Sequence, residues 1–137
     1  MKLYVQIYNL FSLVCSIITF FMCCLHVLLI FGVPIGEYVL GGKEKVIPLR
    51  KRWINGIFAC IFYFLGVFYL GKAGIISFAL PNRLSNGVMI GYTVFLAYAM
   101  IGNIFFTESK KEKIVMIPSS IICFICSLLT FLIIQGF

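Results

Sequence analysis

The chain has 137 residues, of which 63% are hydrophobic and 11% are charged. Soluble domains are about 45–50% apolar and about 25% charged. A small soluble fold also leaves much of its surface in water, so the composition excludes a soluble globular domain. The same hydrophobicity excludes intrinsic disorder. An integral membrane protein remains, with the lipid bilayer as its first expected partner.

The formal net charge is +7, from 11 Lys and Arg residues against 4 Asp and Glu residues. The basic residues cluster between apolar segments rather than along one continuous stretch. This placement is typical of loops that face an anionic membrane surface. We therefore expect no nucleic-acid partner.

Four apolar runs predict transmembrane helices over residues 4–31, 52–71, 86–106 and 114–135. A helix needs about 20 apolar residues to cross a bilayer, and backbone polar groups in lipid must pair internally. The first run is too long for a cleaved signal peptide and no small-residue cleavage site follows it, so we expect a retained helix. The prediction is one all-α domain, residues 1–137, forming an up-down-up-down four-helix membrane bundle.

The orientation follows from the distribution of Lys and Arg, because cytoplasmic loops carry an excess of both. The predicted first and third loops hold eight of them: Lys43, Lys45, Arg50, Lys51, Arg52, Lys110, Lys111 and Lys113. The remaining parts outside the helices hold three: Lys2, Lys72 and Arg83. This asymmetry predicts cytoplasmic first and third loops, with the N and C termini outside.

Small and polar residues recur at helical spacing within each predicted helix. Such residues let helix backbones approach closely in lipid and form hydrogen bonds between helices. We therefore expect them to face the bundle interior. They are Asn9, Ser12, Ser16, Thr19, Cys23 and His26 in the first helix, Gly56, Ala59, Tyr63 and Gly66 in the second, Gly87 and Gly91 in the third, and Ser120, Cys123, Ser127 and Thr130 in the fourth.

The segment 32–43 is a loop by its four glycines and its proline. It is nevertheless rich in large apolar or aromatic side chains: Val33, Ile35, Tyr38, Val39 and Leu40. We therefore predict an ordered first cytoplasmic loop that folds back onto the bundle. Glu37 would then be either a functional carboxylate in a partly dry place or a surface group paired with Lys43 or Arg50.

His26 is the only histidine of the chain. An ionisable residue inside a membrane helix is a candidate functional group, here for proton transfer; the alternative is a neutral imidazole hydrogen-bonded across helices. Asn55 and Asn103 lie near the cytoplasmic ends of their helices, so we predict a polar cavity formed by His26, Glu37, Asn55 and Asn103. A lone histidine does not make a metal site, and the sequence predicts no metal, cofactor or catalytic residue.

One pattern starts at His26, continues through a first-loop motif and ends with a proline and an arginine. The motif residues are Gly32, Pro34, Gly36, Glu37, Tyr38, Gly41, Gly42 and Lys43, followed by Pro48 and Arg50 or Arg52. The pattern resembles one found in small, uncharacterised bacterial membrane proteins of similar length and four-helix topology. The resemblance implies a bacterial plasma membrane and no particular activity.

Three functions stay open from the sequence. The near absence of ionisable groups within the helices favours a non-enzymatic accessory or structural membrane protein, with another membrane protein or a second copy as partner. The first alternative is a small proton-coupled carrier or channel that uses His26 and Glu37. The second is an enzyme that modifies a lipid at the inner leaflet and uses the same site.

Overall fold

The computed structural model describes residues 2–39 and 41–136. Within them the chain forms four α-helices and no strand: α1 Lys2–Ile30, α2 Arg52–Lys72, α3 Asn82–Phe105 and α4 Lys110–Gln135. Two short 3₁₀ turns, Gly36–Tyr38 and Leu49–Lys51, lie in the first loop. The prediction of an all-helical chain is confirmed. All four helices are long and apolar enough to cross a membrane.

α3 and α4 begin four residues earlier than the apolar runs predict, because hydropathy marks the apolar part of a helix and not its polar first turn. α4 begins at Lys110 instead of near 114, since the Ser109 Oγ accepts a hydrogen bond from the backbone N–H of Glu112 at 3.3 Å. α3 begins at Asn82 instead of near 86. There Pro81 directly precedes the helix, and its carbonyl accepts the N–H of Ser85 at 2.9 Å.

The helices pack unevenly against one another. α1 packs along α2 and also contacts α4, and α3 packs on α4. Within the described residues, α2 and α3 make little direct backbone contact. The Ser16 hydroxyl donates to the Gly66 carbonyl at 2.8 Å, and His26 bonds to Asn55 at 2.9 Å. These two bonds advance along α1 while they go back along α2, as in an antiparallel pair.

The predicted interior faces of α1 and α4 are confirmed. Both faces are buried at most of their small and polar positions, although Asn9 and Cys23 are only partly buried. The buried positions are Ser12, Ser16, Thr19 and His26 in α1 and Ser120, Cys123, Ser127 and Thr130 in α4.

The predicted interior face of α2 is confirmed at Ala59 and Gly66, which are buried, and is wrong at Tyr63; the predicted interior face of α3 is wrong. Tyr63 is 60% exposed, and the two glycines Gly87 and Gly91 are exposed with open space around them. Aromatic residues occupy the interior instead, because their hydroxyls find partners there. Tyr69 shares a hydrogen bond with Ser127 at 2.7 Å, and Tyr92 shares one with Thr19 at 3.0 Å.

The first loop packs against α1 and α4. Val39 and Ile47 are buried in a cluster with Leu29 of α1 and Met116 of α4. The other apolar side chains named above for this loop, Val33, Ile35 and Tyr38, are partly buried, and Leu40 lies outside the described residues. Arg52 joins this cluster to the end of α1, since its guanidinium donates to the carbonyls of Ile47 at 3.0 Å and Ile30 at 3.3 Å.

The contact between α1 and α2 depends on the missing side chain of Gly66. A Cβ at this position would lie 2.8 Å from the Phe20 ring. We expect Gly66→Leu to lower the unfolding free energy by about 1–3 kcal/mol through overpacking. Gly87→Leu, which enters open space, is the matched control and should leave stability unchanged or slightly raised. Thermal unfolding in detergent measures both, and equal effects would contradict this account of the α1–α2 contact.

Candidate binding cavity

A cavity of about 650 Å³ extends from the first loop and the α3–α4 connection into the middle of the bundle. Its volume is within the range of about 300–1,000 Å³ that is usual for ligand sites. All four helices and the first loop contribute to its wall. Much of this wall is aromatic, from Phe58, Phe62, Tyr92 and Phe95. Polar side chains are concentrated at the loop end.

His26 lies on this wall and is 5% exposed. Its Nδ1 is 2.9 Å from the Oδ1 of Asn55, and its ring stacks on Phe58 and Phe62 at centroid distances of 5.2 and 5.4 Å. With the amide placed this way, Nδ1 carries the proton and donates it. This contact is a hydrogen bond across helices, as in the predicted alternative to proton transfer. In the neutral ring, Nε2 is then a hydrogen-bond acceptor.

The two predicted asparagines are separated. Asn103 lines the large cavity together with His26. Asn55 is fully buried and lines a smaller cavity of about 180 Å³ beneath the first loop. Its Nδ2 has no hydrogen-bond partner among the residues that the structure describes. The structure thus joins His26 to Asn55 by a hydrogen bond and to Asn103 by a shared cavity.

Glu37 is directed elsewhere. Its carboxylate forms an ion pair with Lys111 at the start of α4, and its backbone carbonyl accepts the Ser109 hydroxyl at 2.7 Å. The hydrogen bond from Lys111, with the nearby charge of Lys45, lowers the pKa of the Glu37 carboxyl below its ordinary value. Glu37 is therefore a paired, partly exposed group. The ion-pair partner of Glu37 is Lys111, and not Lys43 or Arg50, which were predicted as partners because they are close in sequence.

The carboxylate that does line the cavity is Glu112, which the sequence analysis missed. Glu112 is 4% exposed, and its Oε1 accepts the backbone N–H of Gly41 at 3.2 Å. Its Oε2 has no hydrogen-bond partner within residues 2–39 and 41–136. The spacing Ser109-x-x-Glu112 is a helix-capping signature and could have marked the position. This signature predicts that the Glu112 side chain bonds to the backbone of Ser109. It does not predict the observed bond to the first loop.

The loop motif brings backbone segments close together. A Cβ on Gly36 would collide with the carbonyl of Glu44, and a Cβ on Gly42 would collide with Ser109. Only glycine allows these approaches without a shift of the backbone. Among the other motif residues, Pro34 and Lys43 are exposed, and Gly32, Glu37, Tyr38 and Gly41 are partly buried. The motif therefore serves to dock the loop on the start of α4.

Comparison with known proteins gives no match, because no family model, no curated protein and no solved structure is similar to this chain. The described residues also contain no group of three or more His, Cys, Asp or Glu side chains placed to hold a metal ion.

The Glu37–Lys111 ion pair should make stability depend on pH. The folded carboxyl has the lower pKa, so its contribution is present above the ordinary carboxyl range and is lost as the pH falls through the lowered pKa. We expect wild type to melt at a higher temperature than Glu37→Gln at pH 7, with the difference vanishing in acid. Glu108→Gln, at an exposed position of the α3–α4 connection, should show no such pH-dependent difference. A difference for Glu37→Gln that is constant with pH would contradict the ion pair.

Proposed function

We propose that the chain is a four-pass integral membrane protein of a bacterial plasma membrane, folded as one domain in up-down-up-down order. Its first and third loops are cytoplasmic, and its termini lie outside. The four long apolar helices support this proposal, as does the contact between the first loop and the start of α4, which brings two basic loops to one end of the bundle. The resemblance of the loop motif to small bacterial membrane proteins agrees with this localisation.

We further propose that it is a non-enzymatic accessory protein that binds an amphiphilic molecule from the bilayer. The observation that carries this proposal is the large cavity, polar at the loop end and aromatic in the middle of the bundle. A second, apolar groove of about 260 Å³ lies between α2 and α3 and shares Phe58, Phe62, Tyr92 and Phe95 with the cavity. Because α2 and α3 are in little direct contact, this side offers an entry from lipid.

The state of His26 favours binding over proton transfer. Its Nδ1 is held by Asn55 and its ring is packed on two phenylalanines. A group held in this way orients a ligand well and moves little. The proposed protein partner is another membrane protein or a second copy of this chain.

A second candidate function is a proton-coupled carrier or an enzyme that modifies a lipid at the inner leaflet. It is favoured by one observation: His26 and a buried carboxylate, Glu112, line the same cavity. Reconstitution in vesicles distinguishes the candidates. A carrier moves protons with its substrate, an enzyme converts a lipid, and an accessory binding protein does neither.

The orientation can be tested with a reporter fused after the last residue. We expect a C-terminal alkaline phosphatase fusion to be active, because that enzyme functions only outside the cytoplasm. A green fluorescent protein fusion at the same place should be dark. The opposite pair of results would reverse the orientation and leave the four spans unchanged.

Occupation of the cavity can be tested by filling it. Ala99 lines the cavity from α3, and Ala99→Trp should reduce the amphiphile that co-purifies in mild detergent by about 10-fold or more, since the indole occupies its space. Val94→Trp, at an exposed position on the same helix, is the matched control and should retain it. Native mass spectrometry measures both. Wild type without any bound amphiphile, or Ala99→Trp with the full amount, would contradict the proposed binding function.

A further inference from the structure

The cavity contains a buried carboxylate oxygen that has no partner. Glu112 is almost fully buried, and the N–H of Gly41 engages only its Oε1. Its Oε2 is without a hydrogen bond among the described residues. A buried carboxylate oxygen left unpaired is costly, and in this position the cavity is where a donor can reach it. Burial raises the pKa of the Glu112 carboxyl, and the hydrogen bond from Gly41 and the first turn of α4 act against this rise.

A positive side chain lines the same cavity. Lys43 is exposed at the loop end, two residues after the glycine that binds Glu112. Lys43 forms no ion pair in the part of the chain that the structure describes, where the two ion pairs are Lys51–Glu44 and Lys111–Glu37. The polar end of the cavity therefore presents one carboxylate and one ammonium that do not neutralise each other.

This pair of charges is complementary to a zwitterion. The ammonium of a ligand would meet Glu112, and its phosphate would meet Lys43. The neighbouring groove between α2 and α3 is suited to hydrocarbon, since it is lined by apolar and aromatic residues such as Ile61, Leu65 and Val88. Charge at one end and an apolar groove at the other are the two parts of a phospholipid.

We propose that the cavity binds a phospholipid with a primary-amine headgroup, of the phosphatidylethanolamine type, with Glu112 as the receptor for the ammonium. This inference depends on the proposed amphiphile-binding function and names its ligand. A primary ammonium has three N–H donors, so it can bond to the free Oε2. A trimethylated ammonium has no N–H, and an anionic headgroup brings no positive charge to Glu112.

The test uses delipidated full-length protein and native mass spectrometry with added lipids of identical acyl chains. The series is phosphatidylethanolamine, its monomethyl and dimethyl derivatives, phosphatidylcholine and phosphatidylglycerol. We expect the unmethylated lipid to bind about 10-fold or more tightly than phosphatidylcholine, because a hydrogen bond to a charged group is lost on full methylation. Affinity should fall as N–H donors are removed.

Variants assign the preference to Glu112. Glu112→Gln should bring the ratio between the ethanolamine and choline lipids close to one, whereas Glu108→Gln should keep it. Lys43→Gln should weaken both lipids together, since both carry the phosphate. The methylation series on wild type needs no variant, so the inference stays testable if Glu112→Gln fails to fold.

The outcomes separate this inference from the binding function. Equal binding of ethanolamine and choline lipids, or preference for phosphatidylglycerol, would overturn the headgroup assignment and leave amphiphile binding in place. No binding of any lipid would overturn both. Soluble glycerophosphoethanolamine is added as a competitor; displacement of the lipid at equal concentration would identify a soluble ligand and overturn the lipid.

Discussion

The other features of the structure depend on hydrogen bonds between helices, which polar side chains form inside the bundle. In a bilayer, apolar side chains gain little by leaving lipid for one another, so close packing and interhelical hydrogen bonds hold helices together. Here the Ser16 hydroxyl bonds to Gly66, Tyr92 to Thr19 and Tyr69 to Ser127. These bonds join α1 to α2, α1 to α3 and α2 to α4. Each is made between buried groups, where an unpaired hydroxyl is costly.

The cavity is a consequence of how these bonds are distributed. α3 is held mainly through α4, where the hydroxyls of Thr93 and Ser127 share a hydrogen bond at 2.7 Å. α2 is held mainly through α1. The aromatic rings of Phe62 and Phe95 face each other across the space between α2 and α3 at a centroid distance of 6.4 Å. Three sides of the bundle are therefore packed, between α1 and α2, α1 and α4, and α3 and α4, and the fourth side, between α2 and α3, is left open.

The first loop closes one end of this space and gives it polarity. Its glycines allow the chain to lie against the start of α4, where Ser109 accepts the N–H of Glu112 and donates to the carbonyl of Glu37. The same contact turns Glu112 toward Gly41 and the cavity. One short segment thus determines both the packing of the loop and the only carboxylate that the described residues place on the cavity wall.

The sequence by itself determined the all-helical fold class of this protein and its four long apolar helices. Apolar runs of sufficient length form helices wherever backbone groups cannot reach water, and that constraint is local. It also predicted the buried faces of α1 and α4, because Ser, Thr and Cys at helical spacing have few other uses in lipid. Only the tertiary structure decided that Tyr63 faces outward, that Glu37 pairs with Lys111, and that Glu112 lines the cavity. Each of these outcomes depends on a contact with a segment that is distant in sequence. The spacing of residues along one helix does not predict such contacts: Gly41 and Glu112, for example, are 71 residues apart.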